Sequence, residues 1–133
     1  MPGLPDRAPT SARELALEIA DRIRSLGPIG VARFFSGAAL KVGGLQFAFV
    51  FGGSLYLRTD ERSRPAFEAA GSAPFSYPGR SRTVTVAAYY EAPGEVLDDD
   101  EELDRWAAEA YRAALAAHRA KPPKRPRGKP PAP

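Results

Sequence analysis

Cysteine is absent from this 133-residue chain, and histidine, methionine and tryptophan occur once each. Without cysteine there is no disulfide, thiolate nucleophile, iron–sulfur cluster or cysteine-type zinc site. One histidine removes metal sites built on a His pair. No apolar run is long enough to span a bilayer. The first residues, Met1-Pro-Gly-Leu-Pro-Asp6, lack the basic region and apolar core of a signal peptide. A soluble cytoplasmic protein without membrane attachment is therefore expected.

Proline is plentiful, at 14 residues, and gathers at the two ends. Charge is uneven too. The net charge is +3, yet residues 121–133 hold Lys121, Lys124, Arg125, Arg127 and Lys129 and no acid, so residues 1–120 sum to −2. The length fits one domain with a modest core. These features divide the chain into a disordered N-terminal segment over 1–10, a folded domain over 11–120 and a disordered basic, proline-rich tail over 121–133.

Within the domain, Ser11 and Glu14 form a capping box, and Leu15, Ile19, Ile23 and Leu26 share one helical face that Gly27-Pro28 ends. A β-rich centre follows. Leu45, Phe47, Phe49 and Phe51 alternate with smaller or polar residues, and Gly43-Gly44 and Gly52-Gly53 flank them as hairpin turns. Three antiparallel strands are predicted, at 38–42, 45–51 and 54–59, with residues 33–35 as an extension of the first. A short helix ends at Ala70, before Gly71, its start capped by Asp60 or Ser63. Strands at 74–77 and 83–90 come next, the second with Val84, Val86, Ala88 and Tyr90 on one face. A last helix opens in the acidic run Asp98–Glu102 and carries Leu103, Trp106, Ala110 and Leu115 as its packing stripe. The order α-βββ-α-ββ-α implies a two-layer α+β domain, an antiparallel sheet of about five strands with helices on one face.

No residues assemble a catalytic constellation, since a nucleophile needs a base within hydrogen-bond reach. His118 sits at the end of an alanine-rich helix, where a solvated histidine suits the helix dipole. The acidic run lacks the alternate spacing and central glycine of a calcium loop and is read as helix capping. Neither glycine pair has phosphate-loop spacing. No metal and no cofactor is implied. The run Gln46-Phe-Ala-Phe-Val-Phe51 resembles the base-stacking core of an RNA-recognition motif. It departs from that motif in having Gln46 for glycine, in placing Phe51 one position early, and in lying between two hairpin turns. With its apolar residues on one face, a core covered by helices is expected instead.

A series of segments over roughly residues 27–118 resembles the TfoX/Sxy N-terminal domain family, regulators of competence-specific genes. Gly27-Pro28-Ile29 resembles its opening turn. Arg33-Phe34-Phe35-Ser36-Gly37-Ala38-Ala39-Leu40 resembles its Arg-Met-Phe-Gly-Gly-x-Gly-Leu segment, with Phe34 for Met, and Ser36 and Ala39 for glycines. Lys41 stands where an aromatic is common. Gly44–Val50 and Ser54–Asp60 resemble the next two strands, and Phe67–Tyr77 the passage from helix to strand. Tyr89-Tyr90-Glu91-Ala92-Pro93, Leu97-Asp98-Asp99 and Trp106 resemble its close. The family's regulators also carry a helical C-terminal domain, where this sequence has its basic tail.

The resemblance implies the α+β fold and a stand-alone, non-enzymatic module of bacterial gene regulation that binds a protein partner. That partner would be a CRP-type transcription factor or the transcription machinery. Arg33, Tyr56, Arg58 and Tyr89 are the candidate partner surface. Two alternatives stand beside this one. The basic tail, through Lys121, Lys124, Arg125, Arg127 and Lys129, could bind phosphate backbones in a salt-sensitive way. A pocket between sheet and helices could instead hold a small ligand.

Overall fold

The computed structural model describes residues 11–120; both terminal segments named above lie outside the described residues. The described residues run α1 (Ala12–Arg22), β1 (Gly30–Phe34), β2 (Gly37–Val42), β3 (Leu45–Phe51), β4 (Ser54–Arg58), α2 (Arg64–Ala69), β5 (Pro74–Pro78), β6 (Thr83–Glu91), α3 (Gly94–Leu97) and α4 (Asp100–Ala120). All strands join one antiparallel sheet in the order β1-β2-β3-β4-β6-β5. The helices cover one face of it, with α1 against β1 to β3 and α4 against β3 and β4. This is the two-layer α+β domain expected.

Local chemistry explains most of the elements. Ser11 and Glu14 form the capping box at the start of α1. Both Gly-Gly pairs adopt positive φ, 58° and 84° at residues 43 and 44 and 60° and 82° at residues 52 and 53, as tight primed hairpins require. Asp99 accepts hydrogen bonds from the backbone N–H groups of Glu101 and Glu102 and so caps α4. Alanines 107, 110, 113 and 114 are fully or almost fully buried, so α4 approaches the sheet closely, while Trp106 and Leu115 flank that stripe half-buried. Trp106 instead meets Phe67 of α2 edge to face at 4.8 Å.

Five expectations are corrected. The sheet has six strands, because Gly30–Phe34 is a strand of its own that turns into β2 through Phe35-Ser36. That turn has no glycine or asparagine at its first position; Phe35 itself takes φ +54°. Helix α1 stops at Arg22 and not near Leu26. A helix–helix contact ends it: Asp104 Oδ1 of α4 accepts from the backbone N–H of Arg24 and Ser25, both at 2.9 Å, and from the Ser25 hydroxyl at 3.0 Å. These bonds hold the Asp104 carboxyl below its ordinary pKa, the Ser25 backbone contact most strongly. The short helix α3 was not anticipated.

At α2, Ser63 occupies the N-cap position but its side chain makes no cap bond to the helix. Asp60 Oδ1 accepts from the N–H groups of Arg62 and Ser63 in the turn that leads in, so both candidate caps serve the approach. The fifth correction concerns which face the β3 and β6 side chains take. Lys41 pairs with Gln46 but Leu40 pairs with Ala48, which leaves Phe47 as an extra residue, a β-bulge. Phe47 and Ala48 consequently both join the helix-covered core, and Phe49 and Phe51 lie on the other face. Strand β6 breaks its alternation as well: Pro74 pairs with Tyr90 but Phe75 with Val86. Val86 and Tyr89 thus share the open face while Tyr90 enters the covered core.

Candidate functional site

The open face is where the two irregular strands meet. Phe49 from the centre of β3 and Phe75 from β5 are 1% and 8% exposed although no helix of the described residues lies over them. Rings bury rings: Phe49 stacks on Tyr56 at 5.2 Å, meets Phe34 at 4.7 Å and Tyr89 at 4.9 Å, and abuts the edge of Phe75 at 5.0 Å. These spacings and tilts lie in the favourable range for aromatic pairs. The rings do not fill the face. A cavity of about 490 Å³ remains, lined by Phe34, Phe35, Ser36, Phe49, Phe51, Phe75, Tyr77, Val86 and Tyr89.

Two lining rings face water. Tyr77 is 42% exposed and Phe35 79%, the latter meeting Phe34 edge to face at 4.8 Å. Phe35 combines two costs, since a bulky residue at φ +54° strains the backbone and an exposed ring forgoes burial. Its position is fixed from behind by Gly37. A Cβ on Gly37 would come within 2.0 Å of the Val50 carbonyl oxygen, so the strand after the turn lies directly against β3.

Three of the four candidate surface residues are brought together here. Tyr56 and Arg58 alternate with the core residues Leu55 and Leu57 and so project to the open face beside Tyr89. The Arg58 guanidinium sits 5.7 Å above the Tyr89 ring, within cation–π range, and its buried Nε has no hydrogen-bond partner. The Gln46 amide donates to the Tyr89 hydroxyl at 3.3 Å. Burial raises the pKa of Tyr56, Glu91 adds to the rise and the Ser54 hydroxyl opposes it. Arg33 is separated from this group. It pairs with Ala38 of the covered face and lines a second recess of about 410 Å³ with Ser11 and Arg13. Phe35 and Ser36 border both hollows.

Charge divides along the same layers. The strands and their hairpin turns hold Arg33, Lys41, Arg58, Arg80 and Arg82 against Glu91, a net +4. The rest of residues 11–120 has fourteen acids against eight bases, a net −6. The total of −2 hid this division.

The remaining singled-out residues have structural partners or none. Asp100 pairs with Arg22 at 2.6 Å, and Asp60 with Arg112 at 3.0 Å. The Arg112 guanidinium, more than any other neighbour, holds the Asp60 carboxyl down at about 2. His118 is exposed in the last turn of α4. Among the described residues, no group of three or more His, Cys, Asp or Glu side chains is placed to hold a metal ion, and no helix is long and apolar enough to cross a membrane. Lys121, Lys124, Arg125, Arg127 and Lys129 lie outside the described residues.

Of the sequence candidates, Tyr56, Arg58 and Tyr89 share this face with Phe35, Phe49, Phe51, Phe75 and Tyr77, which the sequence pattern does not single out. The departures from the RNA-recognition pattern in β3 were genuine, yet its aromatic run does reach the open face, because one bulge changes which residues point there. The family model for the TfoX N-terminal domain matches residues 21–114. No curated protein matches the chain.

Proposed function

The chain belongs to the TfoX N-terminal domain family, and on that premise we propose that it is a non-enzymatic, cytoplasmic docking domain of competence-type bacterial gene regulation. It recognises a protein partner through the open face of its sheet. One observation carries the docking part of this reading: Phe35, 79% exposed and in a strained backbone, stands at an apolar cavity that no helix of the described residues covers. Strained backbone and exposed apolar surface are both costly, and both concentrate at sites of function. The family supplies the regulatory setting, in which a CRP-type transcription factor or the transcription machinery is the expected partner.

Affinity purification from the native host tests this. The full chain should recover a transcription-related protein that the Phe35→Ala variant fails to recover. Recovery of the same proteins by both, or of no transcription-related protein at low salt, overturns the reading. A small-ligand domain is the second reading, favoured by a cavity volume of about 490 Å³, within the range of ligand pockets. A thermal-shift screen of metabolites and nucleotides discriminates: a reproducible stabilisation that Phe35→Ala abolishes would favour the ligand.

A further inference from the structure

We infer that the open face docks an acidic segment of the partner protein, and that a bulky apolar side chain of this segment enters the cavity at Phe35. The inference rests on the docking reading above and specifies the chemistry of its partner.

The cavity sets the anchor. Its side-chain polar atoms are three hydroxyls, on Ser36, Tyr77 and Tyr89, and the rest of its lining is ring or methyl. Such a wall suits Leu, Met or Phe, which bring no hydrogen-bond donor that needs a partner. A nucleobase would bring a hydrogen-bonding edge that this wall leaves largely unmatched.

The charge division sets the flanks. Arg58 lies directly on Tyr89, a wall of the cavity. Lys41 pairs with Gln46, whose amide bonds the Tyr89 hydroxyl, so a second cation borders the same end. Glu91, opposite Tyr56, is bonded by the Ser54 hydroxyl and lies beyond this pair of cations. A chain leaving the cavity past Tyr89 meets the positive charge of Arg58 and Lys41, and acidic residues beside its anchor complement it. The Arg58 guanidinium, held over the Tyr89 ring, is the donor for one of those carboxylates.

Selection of a random peptide library on the immobilised full chain tests this, with Phe35→Ala and, separately, Tyr77→Ala as subtracting surfaces. Both variants keep residues 121–133, so peptides held only by the basic tail are removed. Retained sequences should combine Asp and Glu with one or two bulky apolar residues. A synthetic peptide of that type should weaken by about tenfold or more when its apolar residue becomes Ala, and again with added salt or with Arg58→Glu. Retained sequences that are apolar but neutral or basic overturn the acidic assignment and leave the docking reading standing. No sequence retained over either variant overturns both. Fluorescent oligothymidine is the second probe: binding that both variants lose, with no peptide retained, assigns the face to nucleic acid and overturns the proposal.

Discussion

The two faces of this sheet are built from the same strands and solve burial differently. On the covered face, aliphatic side chains and alanines meet α1 and α4, and Leu40, Phe47, Leu57 and Leu103 are fully enclosed. On the open face the described residues form no second layer, and Phe49 is nearly as buried because Phe34, Tyr56, Phe75 and Tyr89 close around it. Rings are large enough to bury one another without a covering helix. They are too rigid to close every gap, so the ring-built face keeps an apolar cavity of about 490 Å³.

Substitutions can break this comparison. The largest effect is expected from Gly37→Ala and Phe47→Ala. The first drives a methyl into the Val50 carbonyl, and the second empties an enclosed site beneath α4. Each should destabilise by about 3–5 kcal/mol in chemical denaturation. Phe49→Ala, the same truncation on the opposite face, should cost less, about 2–4 kcal/mol, since its vacated space joins the cavity that Phe49 already lines. Equal costs for Phe47 and Phe49 would mean that the open face is packed like the covered one.

A smaller effect separates electrostatics from packing. Asp60 is held at about pKa 2, below its unfolded value, chiefly by Arg112. Its contribution is therefore present above about pH 4 and lost as pH falls towards 2. Asp60→Asn should cost about 1–2 kcal/mol at pH 7 and almost nothing near pH 2, measured as denaturation midpoints across that range. The smallest change in stability is expected at Phe35. Replacing it with glycine relieves the positive φ, and stability should hold or rise by up to about 1 kcal/mol. Partner recovery should nonetheless be lost. A clear loss of stability in Phe35→Gly would make this ring part of the core and not of a binding surface.

The framework of the domain was legible because local rules wrote it. The Ser11–Glu14 box and the two Gly-Gly turns appear where they were expected. The site was less legible. Tyr56 and Arg58 are placed by unbroken alternation in β4, but Phe49 and Phe51 were assigned to the wrong side because alternation was carried straight through Phe47. A one-residue slip flips every side chain beyond it, and nothing in Gln46-Phe-Ala-Phe marks the bulge. Phe35 was hidden for a related reason: a bulky residue at a hairpin turn carries no turn signal. Retention of Gly37 beside Ser36 was the available clue, for only a residue without Cβ fits against Val50.

The sequence by itself determined the class of the fold, its hairpins and the capped starts of α1 and α4, all of which depend on residues within a few positions of one another. Tertiary structure alone decided where α1 ends, which face each aromatic takes and how charge divides between layers. Asp104 must cross from α4 to stop α1, and the bulge at Phe47 exists only against β2. The +4 of the strands with their turns, and the −6 of the helices and remaining loops, emerge only once strands and helices separate in space. Contacts between residues far apart in the chain obey no local period, so no reading of period could reveal them.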